Sequence, residues 1–282
     1  MFLRARDGWP LHERPLPGLV CEQSFKPEAD ALARAGVAVN VPGAAKTYEL
    51  VLILPPRQRD EARALMARAV AMTKPGGRII VSQSNDEGAR SSEADLAQLT
   101  GEVETMSKNK CRVFWTASLA RLNVSLIAHW QELDAPRPIA EGRFMSRPGI
   151  FAWDRIDVAS ALLAEHLPKT LAGRAADLGA GFGYLSAELL TRCPGITALD
   201  VYEAENRALE LARVNLQSFE ARTPIDYRWH DVAAGLPDTY DVIVTNPPFH
   251  AQRGIDRPDI GRRFIAVAAD SLRPGGKLWL VA

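Results

Sequence analysis

Two periods of hydrophobic and polar alternation run through this chain and divide it into strands and helices. Short apolar runs at 48–54, 175–178, 196–203, 241–245 and 277–281 carry the pattern of buried strands, several of them stopped by Gly, Pro or an acidic residue. Between them, apolar residues recur at helical spacing over 58–72, 155–167, 184–192, 205–219 and 261–272, which predicts helices. Segments 103–106, 111–116 and 226–229 add three shorter strands. Strands alternating with helices after residue 155 predict an α/β fold with a doubly wound parallel sheet. The stretch 131–149 combines Pro, Gly and charge and reads as a linker, giving two domains, 1–140 and 145–282.

The pattern also repeats. Residues 48–57 (YELVLILPPR) mirror 240–249 (YDVIVTNPPF) at an offset of 192, and each copy continues through a helix to a Pro-Gly-Gly turn and another apolar strand. Two landmarks in the same order identify a duplicated unit. Residues 1–47 hold no Gly-x-Gly-x-Gly, and two copies at that offset would need 384 residues against the 282 present. The first unit is therefore expected to lack the front of the fold, its Gly-rich loop included. The second stops at Val281-Ala282, so its last strand is expected to be an uncovered edge, or the chain a shortened version of a longer protein.

Composition narrows what such a fold does. Lys and Arg number 34 against 34 Asp and Glu, so the overall basic charge of many nucleic-acid binders is missing. The charge splits into +3 before residue 149 and −3 after it, too little to define a partner. No run of 18 apolar residues suggests a membrane span, and the first 15 residues lack the apolar stretch of a secretory signal. Cys21, Cys111 and Cys193 form no CxxC pair, which points to a reducing, cytoplasmic setting and away from a disulfide framework or a metal site.

The chemistry concentrates after residue 149. Asp177-Leu-Gly-Ala-Gly-Phe-Gly183 follows an apolar strand and opens a helix, where Gly179, Gly181 and Gly183 let backbone approach a ligand closely. The next strand ends in Glu203, an acid placed to meet the two hydroxyls of a ribose, with Asp200 and Glu205 as competitors. Asp231 follows the third strand, where a carboxylate can accept from an adenine amine. Asn246-Pro247-Pro248-Phe249 stands at the tip of the fourth. An exocyclic aromatic amine is a poor nucleophile because its lone pair is delocalised into the ring. The Asn246 side-chain carbonyl and the Pro247 carbonyl suit its two N–H groups, the prolines fix the backbone, and Phe249 offers a face on which a flipped-out base stacks.

These motifs resemble the class I S-adenosylmethionine-dependent methyltransferases, within them the amino-methylating branch with (Asn/Asp)-Pro-Pro-(Phe/Tyr/Trp). The resemblance covers 145–282, and the duplicated first unit is similar to the degenerate N-terminal domain of the ribosomal RNA small subunit methyltransferase C family. It implies two tandem Rossmann-like units, the first degenerate and the second without its last strands. The implied activity is methylation of guanine N2 in 16S ribosomal RNA, with the RNA or the small subunit as partner and no metal. It further implies that Asp177, Gly179, Gly181 and Gly183 cradle the methionine part of S-adenosylmethionine, with Glu203 on the ribose, Asp231 on the adenine and Asn246 between cofactor and base. The segment 149–160 looks like the family's cofactor-covering element, implicating Phe151 and Ser160, although Ala159 replaces the usual Gly.

In the first copy Leu54 stands where Asn246 does and Arg57 where Phe249 does, which suggests a scaffold or RNA-docking unit. Arg57, Arg59, Arg63 and Arg68 are its candidate RNA contacts, or else a solvated face paired with Asp60 and Glu61. The second copy is seven residues longer between Pro-Pro and Pro-Gly-Gly, and His250, Arg253 and Arg257 in that insertion are expected to meet substrate. Two other readings stay open: an N5-glutamine methyltransferase of release factors, and a non-catalytic ribosome assembly factor. The oligomeric state is open as well.

Overall fold

In the computed structural model, residues 1–14, 16–39, 46–119, 121–248 and 258–282 are described, and they divide into two units, Met1–Ala135 and Pro136–Ala282. The first runs β1 (Phe2–Leu3), α1 (Trp9–Glu13), β2 (Cys21–Glu22), α2 (Lys26–Arg34), β3 (Tyr48–Ile53), α3 (Arg59–Ala71), β4 (Thr73–Ser84), α4 (Ala89–Thr100), β5 (Val103–Lys108), β6 (Cys111–Thr116) and α5 (Val124–Gln131). Its sheet has the order β2-β1-β3-β4-β6-β5; the first four strands are parallel, and β6 turns the direction through an antiparallel hairpin with β5. Alternate residues Val51, Ile53, Ile79, Val81 and Phe114 bury against Leu65 and Met66 of α3 and Leu96 and Leu99 of α4, as period-two strands under an amphipathic helix layer require. The Gln58 side chain accepts from the Glu61 amide and caps α3, with Asp60 and Glu61 in its first turn and Arg68 in its last.

The second unit begins with a hairpin, β7 (Arg137–Ile139) and β8 (Phe144–Ser146), followed by α6 (Val158–His166). The stretch read as a linker is thus mostly ordered structure: its turn places Ala140, Glu141 and Gly142 in succession at φ of +49°, +57° and +84°. Then come β9 (Ala172–Leu178), α7 (Tyr184–Arg192), β10 (Gly195–Glu203), α8 (Asn206–Leu216), β11 (Ile225–Trp229), β12 (Tyr240–Thr245), α9 (Pro258–Asp270) and β13 (Leu272–Leu280). The sheet order is β11-β10-β9-β12-β13, and every pairing is parallel. Alternation sends Ala175, Leu199, Val201, Val242 and Val244 into one core with Leu185, Leu189 and Leu209. Ala176, Leu178, Tyr202 and Ile243 enter the other, against Phe264 and Val267 of α9. Helices therefore cover both faces, and the winding reverses between β9 and β12, the place where such sheets bind ligands.

Strand registers make the duplication explicit. Leu50 pairs with Arg78 and Val242 with Lys277, and both Pro-Gly-Gly turns interrupt the ladder just before, with Gly76 at φ +80° and Gly275 at φ +81°. The expectation that the first unit lacks the front of the fold is corrected for its strands, while the Gly-rich loop is indeed missing. Leu3 pairs with Ile53 and Leu178 with Thr245, so β1 answers β9; Leu3 also pairs with Glu22 and Leu178 with Tyr202, so β2 answers β10. A lone bridge from Cys21 to Val39 stands where Val201 pairs with Tyr227, the remnant of a third strand. The offset is 175 at Leu3, 180 at Glu22 and 192 at Ile53: the front is present and shortened, which a single offset hides. No helix among the described residues is long and apolar enough to cross a membrane.

Candidate active site

The register levels Leu178, Tyr202 and Thr245, so the loops after β9, β10 and β12 leave the sheet side by side. The loop after β9 turns through Gly179, Gly181 and Gly183 at φ +75°, +57° and +90°. At Gly183 a Cβ would lie 3.3 Å from the Ala212 backbone, so the glycine lets α7 approach α8. At Gly181 a Cβ would meet nothing within 4 Å, leaving open space over the loop. The Gly179 and Ala180 amides donate to the Tyr202 carbonyl at 2.9 and 3.1 Å. Asn215 of α8 clamps the far side: its Nδ2 donates to the carbonyls of Phe182 (2.8 Å) and Met145 (2.9 Å), and its Oδ1 accepts from the Met145 amide (2.7 Å).

Two carboxylates meet at this loop. Asp177 is fully buried; Ser186 Oγ donates to its Oδ2 at 2.7 Å, while Oδ1 has no partner. Burial pushes its pKa up to about 7, and the negative charge of Glu203 adds to the effect. Glu203 accepts through Oε1 from the Glu205 amide and through Oε2 from the Gly181 amide, both at 2.8 Å, tying β10 to the glycine loop. Burial raises its pKa too, against those amides. Each oxygen keeps a second lone pair for a ligand hydroxyl.

The competitors for its role are committed elsewhere. Asp200 is buried under Arg174 (2.7 Å) and the Tyr240 hydroxyl (2.6 Å), and Glu205 caps α8. Asp231 follows β11 and accepts from the Ala233 amide at 2.9 Å, and its neighbour His230 is bound through Nε2 to the Gly235 carbonyl at 2.7 Å.

At the tip of β12, Asn246 Nδ2 lies 3.0 Å from Asp157 Oδ2 and 2.9 Å from Ser160 Oγ. An ionised carboxylate only accepts, so the atom facing it is the amide nitrogen, and the Asn246 carbonyl oxygen faces the other way. Pro247 is buried and Pro248 half-buried behind it. Asp157 Oδ2 also accepts from the Ser160 amide at 2.9 Å and caps α6. Ser160, carried over as a cofactor residue, thus reaches the Asn246 amide, whereas Phe151 is 64 % exposed. Phe249, His250, Arg253 and Arg257 lie outside the described residues.

In the first unit the loop after β1 has the same length, five residues between Leu3 and Trp9 as between Leu178 and Tyr184, with Arg4 (φ +54°) in place of Gly179 and Arg6 in place of Gly181. Phe2 replaces Asp177. Gln23 occupies the place of Glu203, accepting from the Phe25 amide at 2.9 Å as Glu203 does from Glu205, but donating to the Ala5 carbonyl. Of the arginines proposed as RNA contacts, Arg59 and Arg63 are held by buried Asp95 and Arg68 by Glu22; Arg57 is exposed.

Asp157 and Asn215 went unassigned in the sequence. Asp157 had a readable signal, an N-cap residue three before Ser160 at a helix start; Asn215 sits on a helix with no local mark of its clamp.

Among known proteins, the chain is similar to ribosomal RNA small subunit methyltransferase C of Pseudomonas paraeruginosa, 31% identical over 83% of this chain and 70% of the relative. The enzyme of the same name from Psychromonas ingrahamii is 27% identical over 83% of the chain and 67% of its own length. The chain therefore spans about two thirds of the length of these relatives. A solved structure of a T. thermophilus 16S rRNA N2 methyltransferase in complex with AdoMet and guanosine shares the fold over 100% of this chain and 78% of its own, at a TM-score of 0.78 and 24% identity. The family model of the methyltransferase small domain matches residues 141–282, the unit that carries the glycine loop, Glu203 and Asn246, and the chain belongs to that family.

Proposed function

We propose that this protein transfers a methyl group from S-adenosylmethionine to the exocyclic N2 of guanine in 16S ribosomal RNA, in the cytoplasm. The observation that carries the reading is the Asn246 amide, turned by an acceptor-only carboxylate so that its carbonyl oxygen is left for a substrate N–H. The relatives named for small-subunit ribosomal RNA methylation support the substrate class.

The residues present fit the cofactor. Asp177 Oδ1 is a buried carboxyl oxygen without a hydrogen-bond partner, and the space over Gly181 is one that any side chain there would fill. Asp177 with Gly179, Gly181 and Gly183 would hold the methionine part, Glu203 the ribose and Asp231 the adenine, with Phe151 and Ser160 on the covering segment. When bound, S-adenosylmethionine supplies an electrophilic methyl group on a sulfonium. Asn246 Oδ1 and the Pro247 carbonyl accept the two N–H groups of the amine and pull its nitrogen toward tetrahedral geometry, freeing the lone pair. Pro247 and Pro248 hold these acceptors rigid, and Phe249 stacks on the base, a contact of about 1–3 kcal/mol. Positioning does the rest.

The test is incubation of the protein with labelled cofactor and, separately, small subunits, naked 16S ribosomal RNA and a release factor, followed by nucleoside digestion. Label in N2-methylguanine is expected, and Asn246→Ala should cut turnover on the order of 10²–10³-fold. Label on glutamine alone, or none on any substrate, would overturn the reading.

A further inference from the structure

The amide of Asn246 is useful to an aromatic amine in only one of its two orientations. A half-turn about its last bond exchanges oxygen for nitrogen and presents two donors to the substrate N–H groups, which would repel them. Nothing in Asn-Pro-Pro itself fixes that choice, because the prolines restrain backbone and not the side chain. The choice is made from α6. Both hydrogens of Asn246 Nδ2 have an acceptor, one in Asp157 Oδ2 at 3.0 Å and one in Ser160 Oγ at 2.9 Å. The reversed amide would place its oxygen 3.0 Å from a carboxylate.

We infer that Asp157 is a positioning residue: through its Oδ2 it selects the amide orientation of Asn246 that turns the side-chain carbonyl toward the substrate amine, with Ser160 as the second anchor. This rests on the methyl-transfer reading of the site and adds a residue to it.

The geometry explains why one oxygen serves two tasks. Asp157 Oδ2 caps α6 through the Ser160 amide and holds Asn246, so the start of the helix and the orientation of the amide are set together. Asp157 and Asn246 are 89 residues apart, and the contact joins the strand tip to the segment ahead of β9.

Capping and positioning separate by substitution. Asp157→Ser keeps a good cap but is too short to hold Asn246 as well. Its melting temperature and its cofactor affinity by calorimetry should stay near wild type, its KM for RNA should change little, and kcat should fall on the order of 10²-fold, as for other small misplacements of a reacting group.

The reciprocal exchange supplies the control. Asn246→Asp alone sets two carboxylates against each other and should lower both turnover and the stability of the cofactor-free protein. Adding Asp157→Asn restores a donor–acceptor pair, and the double variant should regain at least about tenfold in kcat over Asn246→Asp, with a higher urea midpoint. An Asp157→Ser protein that turns over at the wild-type rate would overturn the inference, as would a double variant whose kcat and urea midpoint show only independent effects. A wild-type protein that leaves guanine unmethylated would overturn the functional reading beneath it, and the urea cycle would still report whether the two side chains meet.

Discussion

Asp177 is a carboxyl group placed where charge is expensive, and replacing it by Asn should stabilise the cofactor-free protein at neutral pH. Its side chain is fully buried, with one hydroxyl donor for two oxygens. In the unfolded chain it ionises near the ordinary 3.8, whereas in the fold it keeps its proton until about 7. From pH 4 to 7 the folded state therefore binds the extra proton, and stability is lost as pH rises through that window. The contribution is fully present below pH 4 and gone above 7, and the difference amounts to on the order of 4 kcal/mol. Asp177→Asn has no such window. Urea melts of both proteins from pH 4.5 to 8.5 at constant ionic strength should show wild type losing ground steadily up to pH 7 and holding level beyond it. On the methyl-transfer reading the same carboxylate receives a cationic cofactor, so wild-type affinity should tighten up to pH 7 while the Asn variant binds weakly throughout. Parallel stability curves for the two proteins would refute the reasoning, because they would mean that Asp177 carries no unrelieved charge.

Three further outcomes are expected. Asn215→Ala removes three hydrogen bonds between α8, β8 and the glycine loop and should cost about 2–4 kcal/mol, lowering the thermal midpoint of that unit and weakening cofactor binding in calorimetry. Gly183→Ala demands a left-handed backbone and a Cβ 3.3 Å from the Ala212 backbone; a loss of about 1–3 kcal/mol should appear in urea melts. Glu203→Gln turns one donor toward the Gly181 amide or forces the loop to shift, so cofactor affinity should drop at least about tenfold, in line with an unsatisfied buried bond, while circular dichroism stays unchanged.

The second unit was legible because its strands are long enough to show a period and end in residues with distinct chemistry. Loop 179–183 and helix Tyr184–Arg192 fell where the glycines and the apolar spacing put them. What escaped has physical reasons. A strand of two residues such as β1 or β2 has no periodicity to read, and only the pairing of β1 with β3 and of β2 with β1 reveals them. The turn of the 137–146 hairpin puts Ala140 and Glu141 at positive φ, where composition suggests nothing of the kind. The Asp157–Asn246 contact spans 89 residues, beyond any local pattern.

The Gln23–Glu203 pair bears on how the two halves of this chain diverged. Glu and Gln codons differ at a single base, and both side chains carry the oxygen that closes the turn onto the amide two residues on, at Phe25 and at Glu205. Gln in place of Glu at this position therefore removes the negative charge and leaves the turn closed. Arg4 has the left-handed backbone of Gly179, which it stands for, and its guanidinium pairs with Glu61 at 3.0 Å. At these two positions the first unit thus lacks the carboxylate and the glycine of the second while keeping a closed turn and a paired guanidinium, so a fold of this kind tolerates the loss of ligand-binding residues.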